Sequence, residues 1–291
     1  MRTKVYVLSA FTKNGEGGNP AGVVLDTKDL TEKDMQVIAS TLGFSETAFI
    51  FPSINSDYKI RYFTPNEEVD VCGHATVATF SLLAQSRIVH PGIYTTETKA
   101  GVLHVQNDEN HMIFLQQNPP SFLEILPSKD IIGSLRINED QLMPNMPIQI
   151  VSTGLRDIIV PVKSLKDLLE IDPDMEGITK ISKKYNVTGY HLFTLETLHD
   201  STAHCRNFAP LYDIPEESAT GTSNAALACY LVKYNDKKKS RERERTFTFE
   251  QGYSMNSSSE ITVNVSVHLS DIIYVQVGGS ASTFQEKWID I

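Results

Sequence analysis

Apolar residues recur with a period of two in many short runs of this chain and with a period near 3.6 in a few longer ones. The alternation predicts strands at residues 5–9, 21–25, 47–51, 58–63, 93–97, 102–107 and 112–116. A second series is predicted at 147–151, 157–162, 190–195, 203–208, 245–250, 261–267 and 272–277. Residues 32–42 have the spacing of an amphipathic helix, opened by Thr31 as cap with Glu32 and Asp34 in the first turn, and closed near Gly43. Residues 178–185 repeat that pattern, and shorter helices are expected after Ser128 and near Asn138. Two further helices, at 75–85 and 223–231, are apolar on every side and must be buried all round. Strands too numerous to lie flat around such helices imply an α+β chain in which each half wraps a curled sheet about its own central helix.

The two halves also match in sequence. Arg61-Tyr62-Phe63-Thr64-Pro65 leads to Gly73-His74 and one buried helix; Arg206-Asn207-Phe208-Ala209-Pro210 leads to Gly221-Thr222 and the other. The arginines are 145 residues apart and the glycines 148. An offset of 143 aligns the preceding helix and strand of each half and sets Glu46 opposite Gly189. Such self-similarity predicts two pseudo-symmetric domains, 1–118 and 121–281, divided at Asn118-Pro119-Pro120, with the tail 282–291 returning to the first. The two helix N-termini are expected to face each other across an active-site cleft.

Composition narrows the class. With 291 residues, 41% hydrophobic and 21% charged, the chain has room for two ordinary cores. No apolar run reaches the roughly 18 residues of a membrane span, and residues 5–10 are too short for a signal-peptide core, so a cytoplasmic protein is expected. Three cysteines without paired spacing argue against a disulfide framework or a structural zinc site. A net charge of −10 opposes attraction to nucleic acid or an anionic membrane. The one basic cluster, Lys237-Lys238-Lys239 to Arg245, is interrupted by Glu242 and Glu244 and reads as a solvated loop after a helix, ahead of the alternative of a nucleic-acid patch.

Candidate chemistry gathers at the two glycine-to-helix junctions. Gly73 has no side chain to block a ligand, and the first N–H groups of the helix behind it lack intrahelical partners, which suits a carboxylate or phosphate. Glu46 is the candidate general acid/base, because its glycine counterpart shows that the shared fold demands no carboxylate there. The alternative is a helix-end carboxylate bonded to neighbouring backbone N–H groups. His74 suits a neutral hydrogen-bond donor or a satisfied core histidine. Cys72 could serve as a thiolate base favoured by the helix N-terminus, but Thr220 stands at its counterpart, so a two-thiol shuttle has only one thiol. As metal ligands, Cys72 and His74 have no evident third partner. Glu217, Thr220, Gly221 and Thr222 offer a second carboxylate with backbone and hydroxyl donors, or simply a capping segment. Cys205 and Cys229 read as core. Without a P-loop, a dinucleotide glycine fingerprint or a zinc-protease motif, the expected chemistry uses no cofactor.

Gly18-Asn19-Pro20-Ala21, Ser45-Glu46-Thr47-Ala48-Phe49, Arg61-Tyr62-Phe63-Thr64-Pro65, Cys72-Gly73-His74-Ala75-Thr76, Ser152-Thr153-Gly154-Leu155-Arg156, Phe208-Ala209-Pro210 and Ala219-Thr220-Gly221-Thr222 resemble, in order, the signature blocks of the PhzF-like phenazine-biosynthesis isomerases. The resemblance implies a diaminopimelate-epimerase-like fold of two barrel-and-helix domains, often in a homodimer. It implies that Glu46 moves a proton between carbons of a small carboxylic acid, the family's named substrate being a dihydro-hydroxyanthranilic acid. Gly73, His74, Gly221 and Thr222 would hold the substrate, with Asn19 and Ser45 as further contacts. Two departures bear on the substrate. Glu217-Ser218 stands where aspartate-proline is common, and Asn256-Ser257-Ser258-Ser259 stands where Gly-Arg-Pro-Ser is common. A cofactor-independent isomerase is therefore the leading expectation. The rivals are a single-thiol epimerase or dehydratase built on Cys72, and a small-ligand-binding protein without turnover.

Overall fold

The computed structural model describes residues 2–235, 242–269 and 271–291. Lys237, Lys238 and Lys239 of the basic cluster lie outside the described residues, while its end, residues 242–245, belongs to the strand Glu242–Gln251 and not to a loop. The chain forms two compact units, one of Met1–Gln116 with Gly278–Ile291, the other of Gln117–Val277.

The first unit runs β1 (Arg2–Ala10), β2 (Asn19–Val24), α1 (Glu32–Leu42), β3 (Thr47–Phe51), β4 (Tyr58–Phe63), β5 (Glu68–Val69), α2 (Gly73–Gln85), β6 (Gly92–Thr98), β7 (Gly101–Asn107) and β8 (Ile113–Gln116). β1 pairs antiparallel with β2, β2 parallel with β3, β3 antiparallel with β4, β4 parallel with β6, and β6 antiparallel with β7. The C-terminal strand Gln285–Asp290 adds to the other edge of β1. This sheet curls around α2, which packs on β1, β2, β3, β7 and β8. Its residues from His74 to Leu83 are all buried, as a helix apolar on every side requires. The buried hydroxyl of Thr76 donates to the Cys72 carbonyl at 2.6 Å and meets the Tyr62 hydroxyl at 2.6 Å, so burial leaves neither polar group unpaired. Outside the curl, α1 buries Met35, Ile38 and Ala39 against Val5, Val24, Phe49 and Phe63. It starts where Thr31 and Asp34 cap each other's backbone N–H, and stops where Gly43 turns left-handed at φ 68°.

The second unit repeats this plan. It runs β9 (Ser121–Ile125), α3 (Ser128–Leu135), β10 (Gln149–Ser152), β11 (Arg156–Pro161), α4 (Leu165–Glu170), α5 (Met175–Tyr185), β12 (Gly189–Thr194), β13 (Ala203–Ala209), β14 (Ile214–Glu217), α6 (Gly221–Tyr234), β15 (Glu242–Gln251), β16 (Ser259–His268) and β17 (Asp271–Gly279). The pairings from β10 through β11, β12, β13 and β15 to β16 are antiparallel, parallel, antiparallel, parallel and antiparallel, the same order of senses as in the first unit. Ten consecutive residues of α6, from Ser223 to Val232, are buried within it. Below α3 and α5, a cluster including Ile131, Leu135, Ile158, Val160, Ile178, Leu192 and Phe208 fills the outer layer.

The paired arginines explain one line of the sequence repeat. Arg61 on β4 forks onto Glu68 of β5 through Nε and Nη2, both at 2.7 Å, and lies over the Phe63 ring. Arg206 on β13 forks onto Glu216 of β14 through Nε and Nη2, both at 2.9 Å, over the Phe208 ring. The planar guanidinium matches a carboxylate in two bonds, which fixes orientation as well as distance. Each clamp holds the short strand that leads into the central helix of its unit.

Candidate active site

In the first unit the chain turn after α1 and the start of α2 bring three candidate residues together. Glu46 sits between the Gly43 cap and β3, its carbonyl accepting the Gly22 N–H at 3.4 Å. His74 is the second residue of α2, and Cys72 is the residue before that helix. Glu46 Oε2 lies 3.3 Å from His74 Nε2, and Cys72 Sγ lies 3.4 Å from His74 Nδ1. The Glu46–His74 pair is close but not aligned as a hydrogen bond: Glu46 Oε2 is buried and accepts none. The expectation of a helix-end carboxylate bound by backbone N–H groups therefore fails for this oxygen. Burial pushes the His74 imidazole below its ordinary value, and the Glu46 carboxylate opposes that only in part, so the ring is neutral at pH 7. One sequence expectation is corrected. Cys72 and His74 do have a third ligand-type neighbour, since one ligand atom from each of Glu46, Cys72 and His74 falls within 4.8 Å of the others.

Asn19 opens β2, buried and in register with Ala10, while Ser45 is exposed beside Glu46. Gly73 is open, with only Leu115 within 4 Å of a notional Cβ, at 3.9 Å. Gly189 is different. A Cβ there would meet the Phe208 carbonyl oxygen at 2.0 Å, so strand packing itself demands glycine opposite Glu46 in the repeat.

In the second unit Glu217, the last residue of β14, accepts the Thr220 hydroxyl at 2.5 Å. Thr220 does not cap α6 with its side chain, so the capping reading of this segment is set aside. Gln251 at the end of β15 donates to the Glu217 carbonyl at 2.7 Å and to the Thr220 hydroxyl at 3.0 Å, and accepts from Asn224 at 2.8 Å. Sequence reasoning missed Gln251 and Asn224, both fully buried. The available signal was an asparagine inside an otherwise apolar helix. The Thr222 carbonyl accepts the Thr153 hydroxyl at 3.2 Å, which ties the first turn of α6 to the end of β10. Neither central helix has a capping side chain, whereas Thr31, Ser164 and Asp174 cap α1, α4 and α5. The N–H groups of Gly73 and His74, and of Gly221 and Thr222, precede the first intrahelical bonds and suit an anionic ligand.

Under the first turn of α6 runs a second polar chain. Ser223 donates to Asp157 at 2.7 Å, and Asn207 bonds Ser223 and His191, each at 3.2 Å. Burial pushes the Asp157 carboxyl up to about 6, against the Ser223 and Gly189 hydrogen bonds, and pushes His191 down to about 3. On the other side of β13, His204 meets Glu250 at 2.8 Å with both side chains fully buried. Cys205 and Cys229 are buried, and burial raises both thiols, which suits inert core residues.

The sequence model of the phenazine biosynthesis-like proteins, PhzC-PhzF, matches residues 8–287. The chain belongs to this family. Among similar proteins, the uncharacterized isomerase YddE of Escherichia coli (strain K12) is 34% identical over 295 residues, covering 99% of each chain. The uncharacterized isomerase YfhB of Bacillus subtilis (strain 168) is 34% identical over 270 residues, covering 90% of each. The crystal structure of the Bacillus anthracis phenazine biosynthesis protein of the PhzF family superposes with a TM-score of 0.92 at 32% identity, covering 100% of both chains. The fold expected from the sequence, two similar barrel-and-helix units, is thus that of the PhzF proteins. Among the described residues, no helix is long and apolar enough to cross a membrane.

Proposed function

We propose that the protein is an isomerase that moves a proton on a small carboxylic acid without a metal or organic cofactor, with Glu46 as the acid/base. The observation that carries this reading is the buried Glu46 Oε2, which accepts no hydrogen bond and lies 3.3 Å from a neutral His74. A carboxylate oxygen with no donor is poised to take a proton from carbon. In the step proposed, a substrate C–H bond breaks, its electron pair enters the adjacent conjugated system, and the proton passes to Glu46. Glu46 then returns it to a different carbon, so the product is an isomer and the enzyme is unchanged. The neutral His74 lies beside Glu46 and can donate a hydrogen bond to substrate without competing for the proton. The N–H groups at the start of α2, beside Cys72 and Gly73, offer donors to an anion, and Asn19 and Ser45 are proposed contacts. In the second unit Glu217 offers a further carboxylate, and Thr220, Gly221 and Thr222 offer donors of the same kind.

The test is solvent-deuterium incorporation with a panel of dihydro-hydroxyanthranilate, proline and hydroxyproline isomers, and diaminopimelate, followed by alkylation with iodoacetamide. Exchange that survives alkylation of Cys72 supports a carboxylate base. Exchange that disappears on alkylation but persists in Glu46→Gln would move the base to the thiol. Ligand binding without any exchange would indicate a binding protein.

A further inference from the structure

We propose that Glu46, Cys72 and His74 form a binding site for one zinc ion, and that filling it silences the proton chemistry assigned to Glu46. The second half rests on the proposed function. The first half rests on geometry alone.

Zinc binds nitrogen and oxygen at about 2.0–2.2 Å and thiolate sulfur at about 2.3 Å, which in a tetrahedron sets neighbouring ligand atoms roughly 3.3–3.6 Å apart. Glu46 Oε2 and His74 Nε2 already stand 3.3 Å apart. Cys72 Sγ lies 3.9 Å from the same nitrogen, and all three ligand atoms fall within 4.8 Å of one another. The sulfur now stands nearer the other ring nitrogen, Nδ1, at 3.4 Å, so closing the set requires the cysteine side chain to rotate toward Nε2. Thiolate, imidazole and carboxylate together favour zinc over magnesium or calcium, which take oxygen ligands.

A second, independent observation points to a cation at this spot. Glu46 Oε2 is buried and accepts no hydrogen bond. A buried carboxylate oxygen without a donor is costly, and a bound cation removes that cost. Two ligands flank the start of α2, and the third is held between the α1 cap and β3, so the backbone fixes all three positions and only the cysteine rotamer has to change. Three protein ligands leave a fourth position for water or a substrate carboxylate.

Binding is a simple exchange. The Cys72 thiol proton leaves to solvent as the sulfur–zinc bond forms, no electrons are transferred, and affinity rises with pH. The zinc occupies the Oε2 lone pair that the proposed reaction needs for the substrate proton.

The experiment titrates the metal-free protein with Co2+ as a spectroscopic stand-in, then displaces it with Zn2+. One equivalent should produce a thiolate-to-cobalt band in the near ultraviolet with the visible bands of a tetrahedral ion. Cys72→Ser should lose the thiolate band and His74→Ala should weaken binding at least tenfold, with circular dichroism confirming that both variants fold. The Cys205→Ser/Cys229→Ser double variant should keep the full spectrum. No thiolate band, or the same band in Cys72→Ser, overturns the site. One equivalent of zinc should then abolish deuterium exchange, and a chelator should restore it. Zinc bound at the site with exchange undiminished would overturn the second half and, with it, the assignment of Glu46 as base, while leaving the metal site standing.

Discussion

Replacing Asp157 by asparagine tests the buried polar chain beneath α6 in a way that separates charge from shape. The Asp157 carboxyl is 1% exposed, and burial raises it to about 6 from the ordinary 3.8. Between those values the folded chain holds the proton that the unfolded chain has released. Stability contributed by this group is therefore full below about pH 4 and is lost as pH rises through about 6. At roughly 1.4 kcal/mol per pH unit, the loss between pH 4 and pH 8 is about 2.5 kcal/mol. Asparagine keeps the shape and one acceptor oxygen but does not titrate. The constant cost of the substitution and the titration of every other group cancel when the variant is compared with wild type at the two pH values. Urea unfolding followed by circular dichroism should show the variant gaining about 2.5 kcal/mol relative to wild type on going from pH 4 to pH 8. A relative change below about 0.5 kcal/mol would mean that Asp157 is not desolvated in the folded protein.

Two further substitutions probe the frame of each unit. Arg206→Ala removes a nearly buried fork from Glu216 and from the Leu168 and Ile171 carbonyls, and should cost about 3 kcal/mol in chemical denaturation. Arg206→Lys should recover less than half of that, because an ammonium cannot make the paired bonds. Gly189→Ala places a Cβ 2.0 Å from the Phe208 carbonyl oxygen, and should cost about 3 kcal/mol or abolish soluble expression. Gly73→Ala, with its nearest neighbour at 3.9 Å, should fold normally, and a comparable stability loss there would contradict the distinction drawn between the two glycines.

Much of the local structure was legible because short-range chemistry decided it. The helix expected at 32–42 is the helix observed, since Thr31, Asp34 and the left-handed Gly43 mark both ends within the segment itself. The strands at 47–51 and 58–63 also have the expected bounds, the product of strong alternation flanked by turn residues. α4 escaped notice because six residues make less than two turns and give no readable period. β5, β9, β14 and the C-terminal strand were missed for a different reason. They are two to six residues long, too short to show a period, and exist because a partner strand offers them a ladder, nearby for β5 and β14 and remote in sequence for β9 and the C-terminal strand. The internal repeat was visible at its arginines and glycines, and the structure gives a forked clamp on the entering strand as the cause of the arginines and, at Gly73, an unhindered helix start.

The candidate site was legible as a set of residues but not as an arrangement. Glu46, Cys72 and His74 were each singled out, yet their convergence depends on how β3, β4 and the start of α2 fold together. That is why a metal reading found no third ligand in the sequence. Gln251 and Asn224 lay hidden in a strand and a helix that read as core, and only the hydrogen bonds to Thr220 and to the Glu217 carbonyl reveal their role.

Whether Glu46 carries the proton, as proposed, is decided by deuterium exchange in the Glu46→Gln variant. Glutamine has the size and shape of glutamate but cannot accept a proton from carbon. Proton NMR in D2O follows the loss of a carbon-bound proton from the acid that wild type turns over, with ligand line broadening as the measure of binding. Exchange is expected in wild type, with a fall of at least about 100-fold in Glu46→Gln while binding is retained. Exchange at the wild-type rate in Glu46→Gln would contradict the proposal.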